Sequence, residues 1–128
     1  VTRPPPPPAP RLTIRLDFDA GRRLGPGKIA LLEAIARTGS ISGAGRQFSM
    51  SYRRAWLLVA ELNAMFVEPL VATKGGGRNG GGASLTPFGE TLVADYRAAE
   101  ARMAACAREE IGRIAGMLAP VGEGEDGV

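Results

Sequence analysis

The sequence predicts a mainly α fold with a small β hairpin and a long C-terminal helix, and three observations carry that expectation. Three segments place apolar side chains at helical spacing. Two short β-prone segments flank the run Lys74 to Gly82, in which six of nine residues are glycine. The last helical segment keeps an apolar residue every three or four positions from Leu92 to Leu118. A chain of 128 residues has room for one domain with tails and not for two well-cored ones.

Composition removes most enzyme classes. Aromatics are only 5% of the chain, so the core must be built from Ala, Leu, Val and Ile. There is no histidine, which excludes a Ser-His-Asp triad, a Cys-His pair and a histidine metal site. Cys106 is the single cysteine, which excludes an intrachain disulfide and a multi-cysteine zinc or iron–sulfur site. Glu33, Glu61, Glu68 and Asp95 show no metal or acid–base pairing pattern. Gly25-Pro26-Gly27-Lys28 lacks the spacing of a phosphate loop. The expectation is a non-enzyme with no catalytic residue, no cofactor and no metal.

The chain carries 16 basic and 13 acidic residues. Glu123, Glu125 and Asp126 fall in the last ten residues, so the rest of the chain holds 16 against 10. A basic body with an acidic tip points toward a polyanionic partner. No apolar run approaches the length of a membrane span, and the Pro-rich N-terminus has no apolar core of a secretory signal. A cytoplasmic, nucleoid-associated location is expected.

Residues 1–10, with Pro4 to Pro8 in one run, predict a disordered, polyproline-II-like tail. Residues 11–18 alternate strictly, with Leu12, Ile14, Leu16 and Phe18 on one face, the period of a half-buried strand. Gly21 to Gly25 then turn the chain. Pro26 suits a first helical turn; Ile29, Leu32, Ile35 and Ala36 follow at helical spacing, and Gly39 ends the helix. Ser40 or Ser42 can cap a second, short helix to about Phe48, whose Gly43, Ala44 and Gly45 allow close approach of another helix.

Ser49-Met50 connects to a third helix, capped by Ser51 and running to about Phe66. Ala55, Val59, Leu62 and Phe66 form its buried stripe. At about 100° per residue, Arg53 and Leu57 then point away from the core. Trp56 sits at the margin of the stripe and reads as structural. Leu70 to Thr73 and Ala83 to Leu85 read as two strands around the glycine loop. Thr86-Pro87 starts a helix expected over residues 87–118. Its apolar seam is longer than one domain can cover, so the second half needs a partner chain; Cys106 on it reads as buried or interfacial. Residues 119–128, acidic and Gly-rich, are expected to be disordered. The domain itself should therefore occupy residues 11–118.

Helix, tight turn, helix and glycine-tipped hairpin, in that order, make a winged helix-turn-helix with a long C-terminal dimerisation helix. The N-terminal turn of the third helix would enter the major groove, where base edges can be told apart. Ser51, Tyr52, Arg53 and Arg54 occupy that turn. Ser40 and Ser42 open the preceding helix, whose N–H groups favour phosphate oxygens. Lys74, Arg78 and Asn79 on the wing can reach the neighbouring backbone or the minor groove. These nine residues are the candidate DNA-binding set, with double-stranded DNA the expected partner. The alternative is a protein-interaction winged helix that docks through Leu57 and Leu58 without specific DNA binding.

Three segments sharpen this: Gly39-Ser40-Ile41-Ser42, Ser51-Tyr52-Arg53-Arg54-Ala55-Trp56 with Glu61-Leu62-Asn63, and the wing Gly80 to Gly89. They resemble the N-terminal DNA-binding domain of the ModE-type molybdate-responsive regulators, which is LysR-like. The likeness covers roughly residues 11–118. It implies a homodimer through the N-terminal strand and the C-terminal helix, with paired recognition helices reading an inverted repeat, and a link to molybdate metabolism. Full-length members of that family add C-terminal domains that hold molybdate or tungstate. Residues up to Val128 contain nothing of that kind, so no small-molecule effector is evident. The expectation is a stand-alone DNA binder, a fragment, or a protein whose ligand domain is another polypeptide.

Overall fold

A computed structural model describes residues 9–75 and 82–121. The elements are β1 (Leu16–Asp17), β2 (Arg23–Leu24), α1 (Pro26–Thr38), α2 (Ile41–Gln47), α3 (Tyr52–Met65), β3 (Val71–Thr73), β4 (Ala83–Leu85), α4 (Pro87–Cys106) and α5 (Arg108–Gly116). Two separate antiparallel hairpins accompany the helices. β1 pairs with β2 through Leu16 opposite Leu24, and β3 with β4 through Ala72 opposite Ser84.

The core lies where α1, α2 and α3 meet. Ile29, Leu31, Leu32 and Ile35 of α1 are fully buried, as are Ala44 of α2 and Ala55 and Leu62 of α3. Pro26 starts α1 because its missing N–H belongs to a position with no intrahelical partner. Gly39 ends it in the left-handed region, φ 71°, with its N–H donating to the Ile35 carbonyl. Leu70 and Val71 bring the wing's base into the same core.

Two contacts fix the wing. Asn63 of α3 accepts from the Leu70 and Val71 N–H groups at 2.9 and 3.1 Å, and its amide donates to the Val71 carbonyl at 3.1 Å. The Ala83 N–H donates to the Gly39 carbonyl at 2.8 Å, tying β4 to the α1–α2 corner. Beneath it, Thr86 caps α4 by accepting from the Gly89 N–H and also donates to the Pro69 carbonyl. Gly89 has no substitute there: a Cβ on it would lie 2.3 Å from the Leu70 carbonyl oxygen. Arg97 holds α4 to α1 through a two-pronged pair with Glu33, at 2.9 and 2.7 Å, and also donates to Glu100.

The structure corrects several expectations. The strand over 11–18 shrinks to Leu16–Asp17, because β2 supplies only two partner residues and residues 11–15 have no strand beside them. Its alternation survives in Leu12 and Ile14, which are half-buried, while Leu16 and Phe18 are exposed. The turn is centred on Ala20 and Gly21, both with positive φ, rather than spread to Gly25. The helix expected over 87–118 breaks at Ala107 into α4 and α5 and ends at Gly116. Only Gly89 and Tyr96 of α4, and nothing of α5, are buried, so packing within one chain does not hold that segment to a single axis. Cys106 is exposed in the single chain, which removes the buried alternative for it and leaves the interfacial one. Most of the Pro-rich tail, the wing tip and the acidic tail fall in 1–8, 76–81 and 122–128, outside the described residues.

Candidate nucleic-acid interface

The geometry of the site begins at the turn between α2 and α3. Ser40 caps α2, its Oγ accepting from the Gly43 N–H at 2.9 Å, and the Ser42 hydroxyl lies 3.1 Å from it. At the other end the Gly45 carbonyl accepts from both Phe48 and Met50 N–H groups at 3.0 Å. Ser49 between them takes a left-handed backbone, φ 55°. The chain thus reverses within four residues, and Ser51 caps α3 by accepting from the Arg54 N–H at 3.0 Å. Gly45 lets α3 cross α2 closely, since a Cβ on it would stand 2.9 Å from the Ala55 Cβ.

This turn leaves the start of α3 on the surface. Ser51, Tyr52, Arg53 and Arg54 are all exposed, while Ala55, Val59 and Leu62 bury the opposite stripe. Two of the three serines expected to touch DNA, Ser40 and Ser51, are first of all caps, and capping uses only the acceptor capacity of a hydroxyl. Among the described residues no carboxylate reaches the positive charges of this face. Glu61 pairs with Lys28, Glu33 and Glu100 with Arg97, Asp17 with Arg15, and Asp19 with Arg22. Arg53, Arg54 and Lys74 have no ion pair among them.

The wing stands beside this turn. The Lys74 N–H donates to the Gly82 carbonyl at 2.9 Å, carrying the hairpin one step past β3 and β4. Lys74 is exposed there. Arg78 and Asn79 lie outside the described residues. Between α3 and the wing opens a cleft of about 410 Å³, lined by Ser40, Ile41, Ser42, Tyr52, Trp56, Thr73, Lys74, Gly75, Gly82 and Ala83. It brings together Ser40, Ser42, Tyr52 and Lys74 of the predicted set.

Trp56 is the correction here. Read as structural, it is 38% exposed and forms a wall of the cleft, its ring 6.0 Å from that of Tyr52 in an edge-on pair. The four-residue spacing puts Tyr52 and Trp56 on one side of the helix, but it does not say whether that side is covered. Thr73, at the end of β3, was also missed; an alternating three-residue strand gives no sign of which face meets a cleft.

A second surface is apolar. A groove of about 360 Å³ runs between the N-terminal segment and α4, lined by Ile14, Leu16, Phe18, Leu24, Phe66, Phe88, Leu92, Tyr96, Ala99 and Met103 among others. The Tyr96 hydroxyl donates to the Ile14 carbonyl at 2.5 Å across its floor, and burial pushes the Tyr96 phenol above its ordinary range. Beyond it, Ile114 and Leu118 stand open to solvent.

Comparison with known proteins agrees with this architecture. The family described as bacterial regulatory helix-turn-helix protein, lysR family, matches residues 27–90, which run from the start of α1 into α4. The chain is 50% identical over 84 residues to a protein named molybdenum-pterin-binding protein MopB from Rhodobacter capsulatus, covering 66% of this chain and 31% of the relative. It is 47% identical over 85 residues to the molybdenum transport protein ModE of Azotobacter vinelandii, covering 66% and 32%. The chain thus spans about a third of the length of these relatives. Among solved structures it is similar to full-length LTTR LysG from Corynebacterium glutamicum with bound effector Arg, with TM-score 0.52, 26% identity, and coverage of 73% of this chain and 30% of that one. The fold is shared with the CbnR_DBD-DNA complex, with TM-score 0.50, 20% identity, and coverage of 70% and 95%.

Proposed function

The chain belongs to the bacterial regulatory helix-turn-helix proteins of the lysR family, and on that premise we propose that it is a sequence-specific transcriptional regulator that binds double-stranded DNA as a homodimer. The observation that carries this is the exposed first turn of α3, where Arg53 and Arg54 stand without a carboxylate partner among the described residues. A helix end entering the major groove meets guanine O6 and N7, which a guanidinium can take together. Arg53, farthest from the buried stripe, reads bases; Arg54 and Tyr52, on opposite flanks, serve bases or backbone. Lys74, with Arg78 and Asn79 of the wing, adds charge toward the backbone or minor groove.

The apolar groove beside α4 and the uncovered Met103, Ile114 and Leu118 support the homodimer, in which the N-terminal segment and the α4–α5 region pack against a second copy. Burying such surface contributes about 25 cal/mol per Å², and two α3 ends on one duplex read an inverted repeat. Relatives named for molybdenum transport and molybdenum-pterin binding support regulated genes concerned with molybdenum.

Selection from fragmented genomic DNA tests the proposal. The chain should enrich one motif with two-fold symmetry, and the Arg53→Ala/Arg54→Ala double variant should lose that enrichment. Recovery of random fragments, or an unchanged motif from the variant, refutes it.

A further inference from the structure

We propose that Leu57 determines sequence specificity, its side chain packing on the C5-methyl group of a thymine one or two base pairs from the guanine that Arg53 takes. This rests on the DNA-binding reading and deepens it, by naming a second base and the chemistry that reads it. Leu57 lies one helical turn after Arg53, on the line of α3 opposite the buried Ala55, Val59 and Leu62. It is 54% exposed.

The fold makes no use of this side chain. Leu57 is outside the core, and it lines neither the cleft beside the wing nor the groove beside α4. A single exposed leucine on a surface is ordinary; this one stands next to the base-reading arginine. Helical side chains lean toward the N-terminus, so Leu57 leans toward the turn that carries Arg53. Four residues of helix rise about 6 Å, and base pairs stack about 3.4 Å apart. A helix end that brings Arg53 to one guanine thus holds Leu57 over the next base pair or the one after. The same outward line continues with Ala60 and Ala64, both exposed and short. Glu61 is paired with Lys28 of α1 at 3.4 Å, which holds its carboxylate against the body.

The major groove of unmodified DNA offers a leucine one partner. The thymine methyl is the apolar group among the donors and acceptors of the base edges there. A leucine set against a donor or acceptor strips its water and returns no hydrogen bond. The same side chain therefore favours thymine and disfavours the other bases at that position.

The full chain is tested on a duplex that it recovers from fragmented genomic DNA, with each thymine in turn replaced by deoxyuridine. The replacement removes the methyl group and keeps base pairing. One position per half-site should weaken binding about fourfold, the scale of one buried methyl. It should lie within two base pairs of the guanine whose N7 is needed for binding. Leu57→Ala should bind the thymine and uracil duplexes alike, with the Tm of the wild type. Wild-type binding that is indifferent to every replacement, or a penalty that persists in Leu57→Ala, overturns the role of Leu57 and leaves the DNA reading intact. A sensitive thymine remote from that guanine does the same. A Tm that falls in Leu57→Ala gives this leucine a structural role and also overturns the proposal. Recovery of no duplex removes the DNA reading, and the role of Leu57 with it.

Discussion

A Cβ on Gly45 of α2 would stand 2.9 Å from the Cβ of Ala55 on α3. The two helices therefore touch backbone to side chain, and this contact sets the angle at which the exposed turn of α3 leaves the body. Gly45→Ala should gain about 1 kcal/mol of helix propensity and lose more to overpacking, which costs about 1–3 kcal/mol. The expected result is a small net loss of stability in urea unfolding. Affinity for DNA should fall further than stability does, because α3 is displaced relative to the wing. A variant with unchanged affinity would show that the crossing of α2 and α3 does not matter to binding.

Ala20 carries the opposite signal. It sits at φ 54° beside Gly21 at φ 74°, the pair of left-handed residues in the β1–β2 turn. Asparagine tolerates this region better than alanine, and Asn-Gly is the favoured pair in such turns. Ala20→Asn should stabilise the chain by about 0.5–1 kcal/mol, read as a rise in Tm. A fall would mean that the turn is not held in this conformation.

The Glu33–Arg97 pair predicts a pH dependence. The hydrogen bonds from Arg97 hold the Glu33 carboxyl below its ordinary value of 4.5. A carboxyl depressed in the folded state adds stability above its unfolded value and loses it as pH falls through the folded one. Stability should therefore decline as pH drops below about 4.5, partly through this group. About a third of each side chain is exposed, so solvent screening limits the contribution at pH 7 to about 1 kcal/mol or less. Glu33→Gln should flatten the acid limb of a Tm-against-pH curve. An identical curve for the variant would remove this pair as a source of it.

Local signals were legible in the sequence where short-range physics decides. Pro26 and Gly39 bound α1, Ser51 caps α3, and Ala55, Val59 and Leu62 of its expected stripe are buried, while Phe66 lies half-buried just past the helix end and Met65 is buried instead. The wing strands flank the glycine run as expected. What failed depends on partners distant in sequence. The alternation of residues 11–18 marks an apolar face but does not say that only Leu16 and Asp17 find a strand to pair with. The break at Ala107 has no proline or glycine to announce it, and its hydrogen bonds to Met103 and from Ile111 remain formed. Trp56 was misplaced because an indole at the edge of a stripe suits a core and a surface equally; only the position of the wing across from it decides.

The most direct test concerns Arg53 and one guanine. In the selected duplex, each guanine in turn is replaced by 7-deazaguanine, which removes the N7 acceptor and leaves pairing intact. The account predicts one position per half-site at which wild-type affinity falls by about tenfold, the low end of a bidentate contact, and at which Arg53→Ala shows no further loss. Wild-type binding that is indifferent to every replacement, or an Arg53→Ala variant that keeps the full penalty, would contradict it.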